Sequence, residues 1–336
     1  MSTSNHEARD ASIEPAAPAS APPLGKYNGA EPPAEEWFTA ALERQPERLW
    51  VNSRGSILEL LTWGEVGKPG LVFVHGTRAQ ADWWSFIAPF FADDFRIAAF
   101  SSPGMGHSEW RDQYDFNDLA ADAEAISDAA GLGQSKQRPF FVGHSFGGSQ
   151  VLFLAGHHPE QMSGAILVDT SLRGPSRDGA AKHQALAGLS RRTQGKVAEG
   201  HRVYATLTDA LVRFRLMPPQ SMTNDFIVDY IARRLLEPVT GDGDAHGWRW
   251  RYDPDYWGKF NYDVPLPKEF GRSIIVPVAH IHGQSSYFRQ EPDRPDVLPK
   301  NAIEFDIPSA HHHVMIDQPI ALVTAIRAVL AAWAST

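Results

Sequence analysis

The sequence predicts an α/β fold: a mostly parallel sheet of eight strands with a helical segment inserted after the sixth. Three observations lead there. Short apolar runs such as Leu71-Val72-Phe73-Val74 and Ala165-Ile166-Leu167-Val168 read as strands buried on both faces, and they alternate with stretches of helical period. That alternation implies parallel strands joined by right-handed crossovers. The pentapeptide Gly143-His144-Ser145-Phe146-Gly147 sits between one such run and a helical stretch. The rhythm then breaks after Asp169 and resumes only near residue 273.

Taken in order, residues 48–52 and 56–63 read as an opening antiparallel pair, turning at Ser53-Arg54-Gly55. Residues 71–74 form the next strand, which ends at His75-Gly76. Residues 83–91 read as a helix, with Asp82 as a plausible N-cap, and 95–101 as a strand. Residues 116–130 place Phe116, Leu119, Ala123 and Ile126 on one helical face, and Gly131 stops the helix. The strand at 140–143 leads into the pentapeptide, and a helix follows from Gly148 to about His157. The sixth strand covers 165–169. Strands at 273–282 and 302–307 and a helix at 320–333 complete the core.

The domain reading follows. Residues 1–33 are a disordered or wrapping tail, rich in Ala, Pro, Ser and Glu. Residues 34–170 and 273–336 are the core, and 171–272 an inserted, mainly helical and loop-like cap. A length of 336 residues suits one large domain with an insertion. The net charge of −9 argues against a nucleic-acid partner and against an anionic membrane surface. No apolar run reaches the ~20 residues that span a bilayer. The start has no secretory pattern, and there is no cysteine for disulfides, thiolate catalysis or Cys-zinc sites. A cytoplasmic location is the expectation, and the oligomeric state stays open.

Ser145 carries the chemistry. A Gly-x-Ser-x-Gly between strand and helix is a turn so sharp that side chains two residues either side would clash. The serine is pushed into strained backbone geometry, with its hydroxyl exposed to a base. With Leu71-Val72-Phe73-Val74-His75-Gly76, Gly104-Met105-Gly106-His107-Ser108, the pentapeptide with Gly148, and the late run ending Asp317-Gln318-Pro319, the sequence resembles the α/β-hydrolase fold superfamily, in its capped single-domain branch. The resemblance covers roughly residues 48–335. Its motifs are specific for the fold and poorly specific for substrate.

The resemblance implies a base in the loop Ser309-Ala310-His311-His312-His313-Val314-Met315-Ile316-Asp317. Counting back from Asp317 selects His312 over His311 and His313. A zinc site on this triplet is disfavoured, because adjacent side chains seldom converge on one tetrahedral ion. The usual acid position, three residues past Gly283, is Ser286. The resemblance implies instead Asp169 at the end of the sixth strand, where some relatives place the acid, with Glu291 and Asp293 as alternatives. The backbone N–H groups of Phe146 and Thr77 are the expected oxyanion donors.

Arg78, Trp83, Trp84, Trp248, Trp250, Tyr256 and Trp257 are candidates for substrate contact, weighed against plain packing or a solvated charge. His75 and His107 read as structural. The expected activity is that of a serine hydrolase acting on an ester or lactone, with no metal or organic cofactor. Its substrate is a small molecule with an apolar or aromatic part. A carbon–carbon hydrolase or lyase with the same Ser and His, and a catalytically silent ligand-binding member of the fold, are the competing readings.

Overall fold

A computed structural model describes residues 22–173, 202–240, 246–262, 274–290 and 296–335. Glu291, Asp293, residues 1–21 and the basic stretch Ser190-Arg191-Arg192-Thr193 lie outside the described residues.

Eight strands form one sheet. They are β1 (Glu47–Ser53), β2 (Ser56–Trp63), β3 (Gly70–Val74), β4 (Arg96–Phe100), β5 (Phe140–His144), β6 (Gly164–Val168), β9 (Val278–Gly283) and β10 (Ile303–Ile307). A separate pair, β7 (Leu236–Thr240) and β8 (His246–Trp250), belongs to the segment between β6 and β9. The order across the sheet is β1-β2-β4-β3-β5-β6-β9-β10. Within this sheet, among the described residues, only the pairings of β2 are antiparallel. Arg54 at φ 54° and Gly55 at φ 81° make the two-residue turn between β1 and β2, where primed turns match strand twist.

Strands β3 to β6 are buried along their whole lengths, as their unbroken apolar runs require. Leu71 and Phe73 face one apolar layer, and Val72 and Val74 the other. The first layer is closed by α1 (Glu36–Glu43), α7 (Val314–Asp317) and α8 (Pro319–Ala334), the second by α2 (Phe116–Ala129) and α3 (Phe146–His157). Asp115 caps α2 by accepting the Asn117 N–H at 2.7 Å. The order reverses between β3 and β5, so the loops leaving their C-terminal ends open a crevice there.

Three local expectations are corrected. Residues 83–91 are not one helix but two 3-10 turns, Ala81–Trp84 and Ala88–Phe91. Pro89 has no N–H for a continuing ladder and disfavours helical geometry before it, so it starts the second turn. The strand expected from 273 begins only at Val278, just past Pro277. The segment between β6 and β9, expected to be mainly helical and loop-like, also holds an antiparallel strand pair. Besides α4 (Leu207–Leu211), α5 (Asp225–Arg234) and α6 (Tyr256–Lys259) it carries the β7–β8 hairpin. The alternating Trp248 and Trp250 of that hairpin fit a half-buried strand better than a helix.

Residues 22–33 lie against this inserted segment. Leu24 is buried in the core, Tyr27 donates to Asp225 at 2.8 Å, and Arg233 donates to the Gly29 carbonyl at 2.7 Å. No described helix is long and apolar enough to cross a membrane.

Candidate active site

The turn after β5 shows why its glycines are needed. A Cβ on Gly143 would stand 2.4 Å from the Gly147 carbonyl oxygen, and one on Gly147 would stand 2.4 Å from the His75 carbonyl oxygen. Both obstacles are backbone, so neither can move aside. Ser145 itself has φ 54° and ψ −120°, a conformation that costs a non-glycine residue on the order of 1–3 kcal/mol. Hydrogen bonds on both sides hold it there. The Ser145 N–H donates to Val168 O at 3.0 Å, and the Gly148 N–H donates to Ser145 O at 3.0 Å.

The strained turn aims the hydroxyl at His312. Ser145 Oγ lies 2.9 Å from His312 Nε2, and His312 Nδ1 lies 2.7 Å from Asp169 Oδ2. A carboxylate has no proton to give, so Nδ1 carries the imidazole proton and Nε2 is left to accept the serine's. Asp169 is fully buried just past the end of β6, with φ 44°, a left-handed geometry that a short polar side chain tolerates. Its Oδ1 accepts the Gly283 N–H at 3.0 Å, and its Oδ2 also accepts the Ser286 hydroxyl at 2.5 Å. Three donors thus hold a buried negative charge that would otherwise be costly.

Ser286 stands where an acid was the usual expectation, and it donates to the Asp169 carboxylate instead. The Phe288 N–H in turn donates to its oxygen at 3.1 Å.

The three consecutive histidines have three separate partners. His311 pairs with Asp317, its Nδ1 3.0 Å from Oδ2. His313 is buried, with its Nδ1 2.8 Å from Gln220 Oε1. Only His312 reaches Ser145. Its backbone is fixed by the elbow itself, since His144 Nε2 donates to the His312 carbonyl at 3.0 Å. Sequence reasoning missed His144 and Gln220. His144 was visible as the second residue of the pentapeptide, but nothing in the sequence assigned it a partner. Gln220 carried no signal, and it also binds both Asp317 oxygens at 3.1 Å.

The loop after β3 lies against the elbow. A Cβ on Gly76 would be 3.2 Å from the Ser145 Cβ. Among the described residues, the Thr77 and Phe146 N–H groups donate to no protein acceptor. Phe146 opens α3, where helix geometry leaves N–H groups without partners and the helix dipole favours negative charge.

The candidate substrate contacts divide. Trp257 and Tyr256 meet the Phe146 ring at centroid distances of 5.0 and 6.2 Å. Trp83 lies 5.7 Å from the His313 ring. Arg78 sits over the Tyr252 ring at 5.1 Å. Trp84 is fully buried against Phe73, a core position that cannot touch substrate. Trp248 and Trp250 lie on the β7–β8 hairpin, and Trp250 packs on Phe214 and Tyr204. That is packing within the inserted segment rather than contact with the elbow. His75 bridges the Gly76 carbonyl (2.7 Å) and the Ser102 N–H (2.9 Å), the structural role expected of it.

Burial holds His75 down to about 4 and pushes His144 and His313 well below the usual imidazole range. The folded chain therefore keeps them neutral, while the unfolded chain protonates them below about pH 6.5. Protons favour the unfolded state, so stability is full above about pH 6.5 and falls as pH drops toward the folded values. For His75 the loss at pH 5 is about 2 kcal/mol. The melting temperature should fall between pH 7 and pH 5, and a His75→Gln variant should fall less steeply. Equal slopes in the two proteins would contradict this.

A sequence model described as the alpha/beta hydrolase fold matches residues 69–319. An esterase of Mycobacterium tuberculosis is 26% identical over 312 residues, covering 87% of this chain and 95% of that protein. A Pseudomonas aeruginosa structure titled as a hypothetical protein superposes with TM-score 0.64 at 26% identity, over 87% of this chain and 100% of the other. The thioesterase domain of a curacin biosynthetic pathway gives TM-score 0.65 at 22% identity, over 84% and 99% of the two chains, a likeness of fold.

Proposed function

The chain belongs to the α/β-hydrolase family, and on that premise we propose that it cleaves a carboxylic ester or lactone, with Ser145 as nucleophile, His312 as base and Asp169 as the acid that orients the base. The observation that carries the reading is the unbroken line from Ser145 Oγ through the His312 ring to the Asp169 carboxylate, at 2.9 and 2.7 Å. The esterase relative, matched over nearly its whole length, supports an ester as the first class to test.

The chemistry follows from the geometry. Ser145 Oγ attacks the substrate carbonyl carbon while His312 Nε2 takes the hydroxyl proton. Asp169 keeps Nδ1 protonated and stabilises the imidazolium that forms. The carbonyl oxygen becomes an oxyanion, held by the Phe146 and Thr77 N–H groups. His312 then returns its proton to the leaving alkoxide, and the acyl group remains on Ser145. Water attacks the acyl-enzyme with His312 as base, and the acid leaves. No step needs a metal or organic cofactor.

The segment between β6 and β9 acts in this reading as a cap. Its Tyr256, Trp257 and Phe260 pack on Phe146, and its Gln220 holds the loop that carries His312. Aromatic walls beside the oxyanion donor suit an acyl or alcohol group with apolar bulk.

The test is a panel of chromogenic esters, lactones and amides of graded chain length, run beside carbon–carbon cleavage substrates with product analysis. Esters or lactones should turn over and label the serine with a fluorophosphonate. Turnover of carbon–carbon substrates alone would move the reaction class while keeping the same Ser and His. Absence of both turnover and labelling would leave a silent ligand-binding protein.

A further inference from the structure

Two histidines and a glutamate converge on the last two strands of the sheet, apart from the proposed catalytic groups. His280 and His282 stand two residues apart on β9 and so share one face. Glu304 is registered opposite His280 on β10. One nitrogen or oxygen from each of the three lies within 4.8 Å of the other two. His282 Nε2 and Glu304 Oε2 are 3.3 Å apart. That matches the edge of a tetrahedral site with bonds of about 2.0–2.1 Å, which is roughly 3.3–3.4 Å. His280 has to close in by no more than about 1.5 Å to complete the set.

We propose that His280, His282 and Glu304 bind a divalent transition-metal ion of the zinc class, with water completing the shell. Two imidazoles and one carboxylate are donors that zinc, copper and nickel accept, whereas magnesium and calcium prefer oxygen shells. The histidines are buried, at 0% and 3% exposed, while the Glu304 side chain is 39% exposed. The carboxylate is thus the entrance, and the imidazoles fix the ion behind it.

Occupancy is coupled to the proposed acid. A neutral imidazole has one lone pair in its plane, and His280 uses that of Nε2 to accept the Thr170 N–H at 3.2 Å. A metal takes this lone pair at Nε2 directly, or binds at Nδ1 and sends the proton to Nε2. Either way the bond from Thr170 breaks. Thr170 follows Asp169 in the chain, and Gly283, which follows His282, donates to the Asp169 carboxylate. The ion therefore removes the backbone bond next to Asp169 in the chain, and binding lowers hydrolysis.

The experiment uses tag-free, chelator-treated full-length protein titrated with Co²⁺ by absorbance and with Zn²⁺ by calorimetry. One site with the intense ligand-field bands of four-coordinate cobalt is expected. His282→Gln should abolish it. Glu304→Gln, a surface change, should keep metal-free activity and weaken binding by at least about tenfold. His311→Gln should leave binding unchanged, since the histidine triplet is the competing chelator. The binding titration repeated on Ser145→Ala should be the same as in the parent, so its outcome stands apart from the hydrolase reading. Unaltered binding in both Glu304→Gln and His282→Gln, loss of binding in His311→Gln, or no binding at millimolar ion would overturn the site. Full hydrolytic activity at metal saturation would overturn the coupling.

Discussion

Ser145→Ala should lower ester turnover by at least about 10⁴-fold while leaving the fold intact. The alanine variant keeps the proposed oxyanion donors and any binding surface, so the rate should not fall to that of water. It loses the only hydroxyl within reach of His312 Nε2 among the described residues. Alanine suffers the same backbone strain as serine at φ 54°, so the melting temperature should move by only a few degrees. Steady-state kinetics and a fluorophosphonate label read the result, and calorimetry checks the fold. Wild-type turnover in the alanine variant would eliminate the mechanism, whatever the assignment of the acid.

The second large effect is at Asp169. Asp169→Asn should fold and lose about 10⁴-fold in turnover. The carboxylate accepts from His312 Nδ1, Ser286 and Gly283 at once. An amide has one accepting oxygen in place of two, and its NH₂ group must face one of these donors. If it faces His312, Nδ1 becomes the acceptor and Nε2 carries the proton, so the ring can no longer take one from Ser145. Ser286→Ala removes one charge-assisted hydrogen bond and leaves the Asp169 carboxylate, so a loss of about 10–100-fold is expected. Glu291→Gln and Asp293→Asn should remain near wild type. Wild-type turnover in Asp169→Asn, or collapse in Glu291→Gln or Asp293→Asn, would move the acid elsewhere.

Much of this architecture was readable along the chain because it answers to local rules. The runs at 71–74 and 165–168 are continuous and apolar because their strands are covered on both faces. Phe116, Leu119, Ala123 and Ile126 share the buried face of α2, and Gly131 stops it in a left-handed conformation, each a matter of near neighbours along the chain. Pro89 splits the helix expected at 83–91, because it has no N–H for the ladder and disfavours helical geometry at the residue before it. Short periodicity hid the β7–β8 hairpin. The tryptophans show a further limit. Trp83 and Trp84 are adjacent and chemically identical, yet one meets the His313 ring and the other is sealed against Phe73.

The sequence by itself determined the elbow and its serine. Gly143 is demanded by the Gly147 carbonyl four residues on, a local obstacle, whereas the obstacle at Gly147 is the His75 carbonyl brought up beside it by the sheet. The tertiary structure alone decided the partners. Whether His311, His312 or His313 met the serine depended on which side chains the sheet and the inserted segment brought to each ring. Asp317, Asp169 and Gln220 arrive from three separate parts of the chain. Ser286 looked like a missing acid in the sequence and became a donor to Asp169 across the sheet end. A hydrogen bond needs its atoms placed to a few tenths of an ångström. Residues 143 positions apart, like Asp169 and His312, acquire that precision only when the strands that carry them are packed side by side.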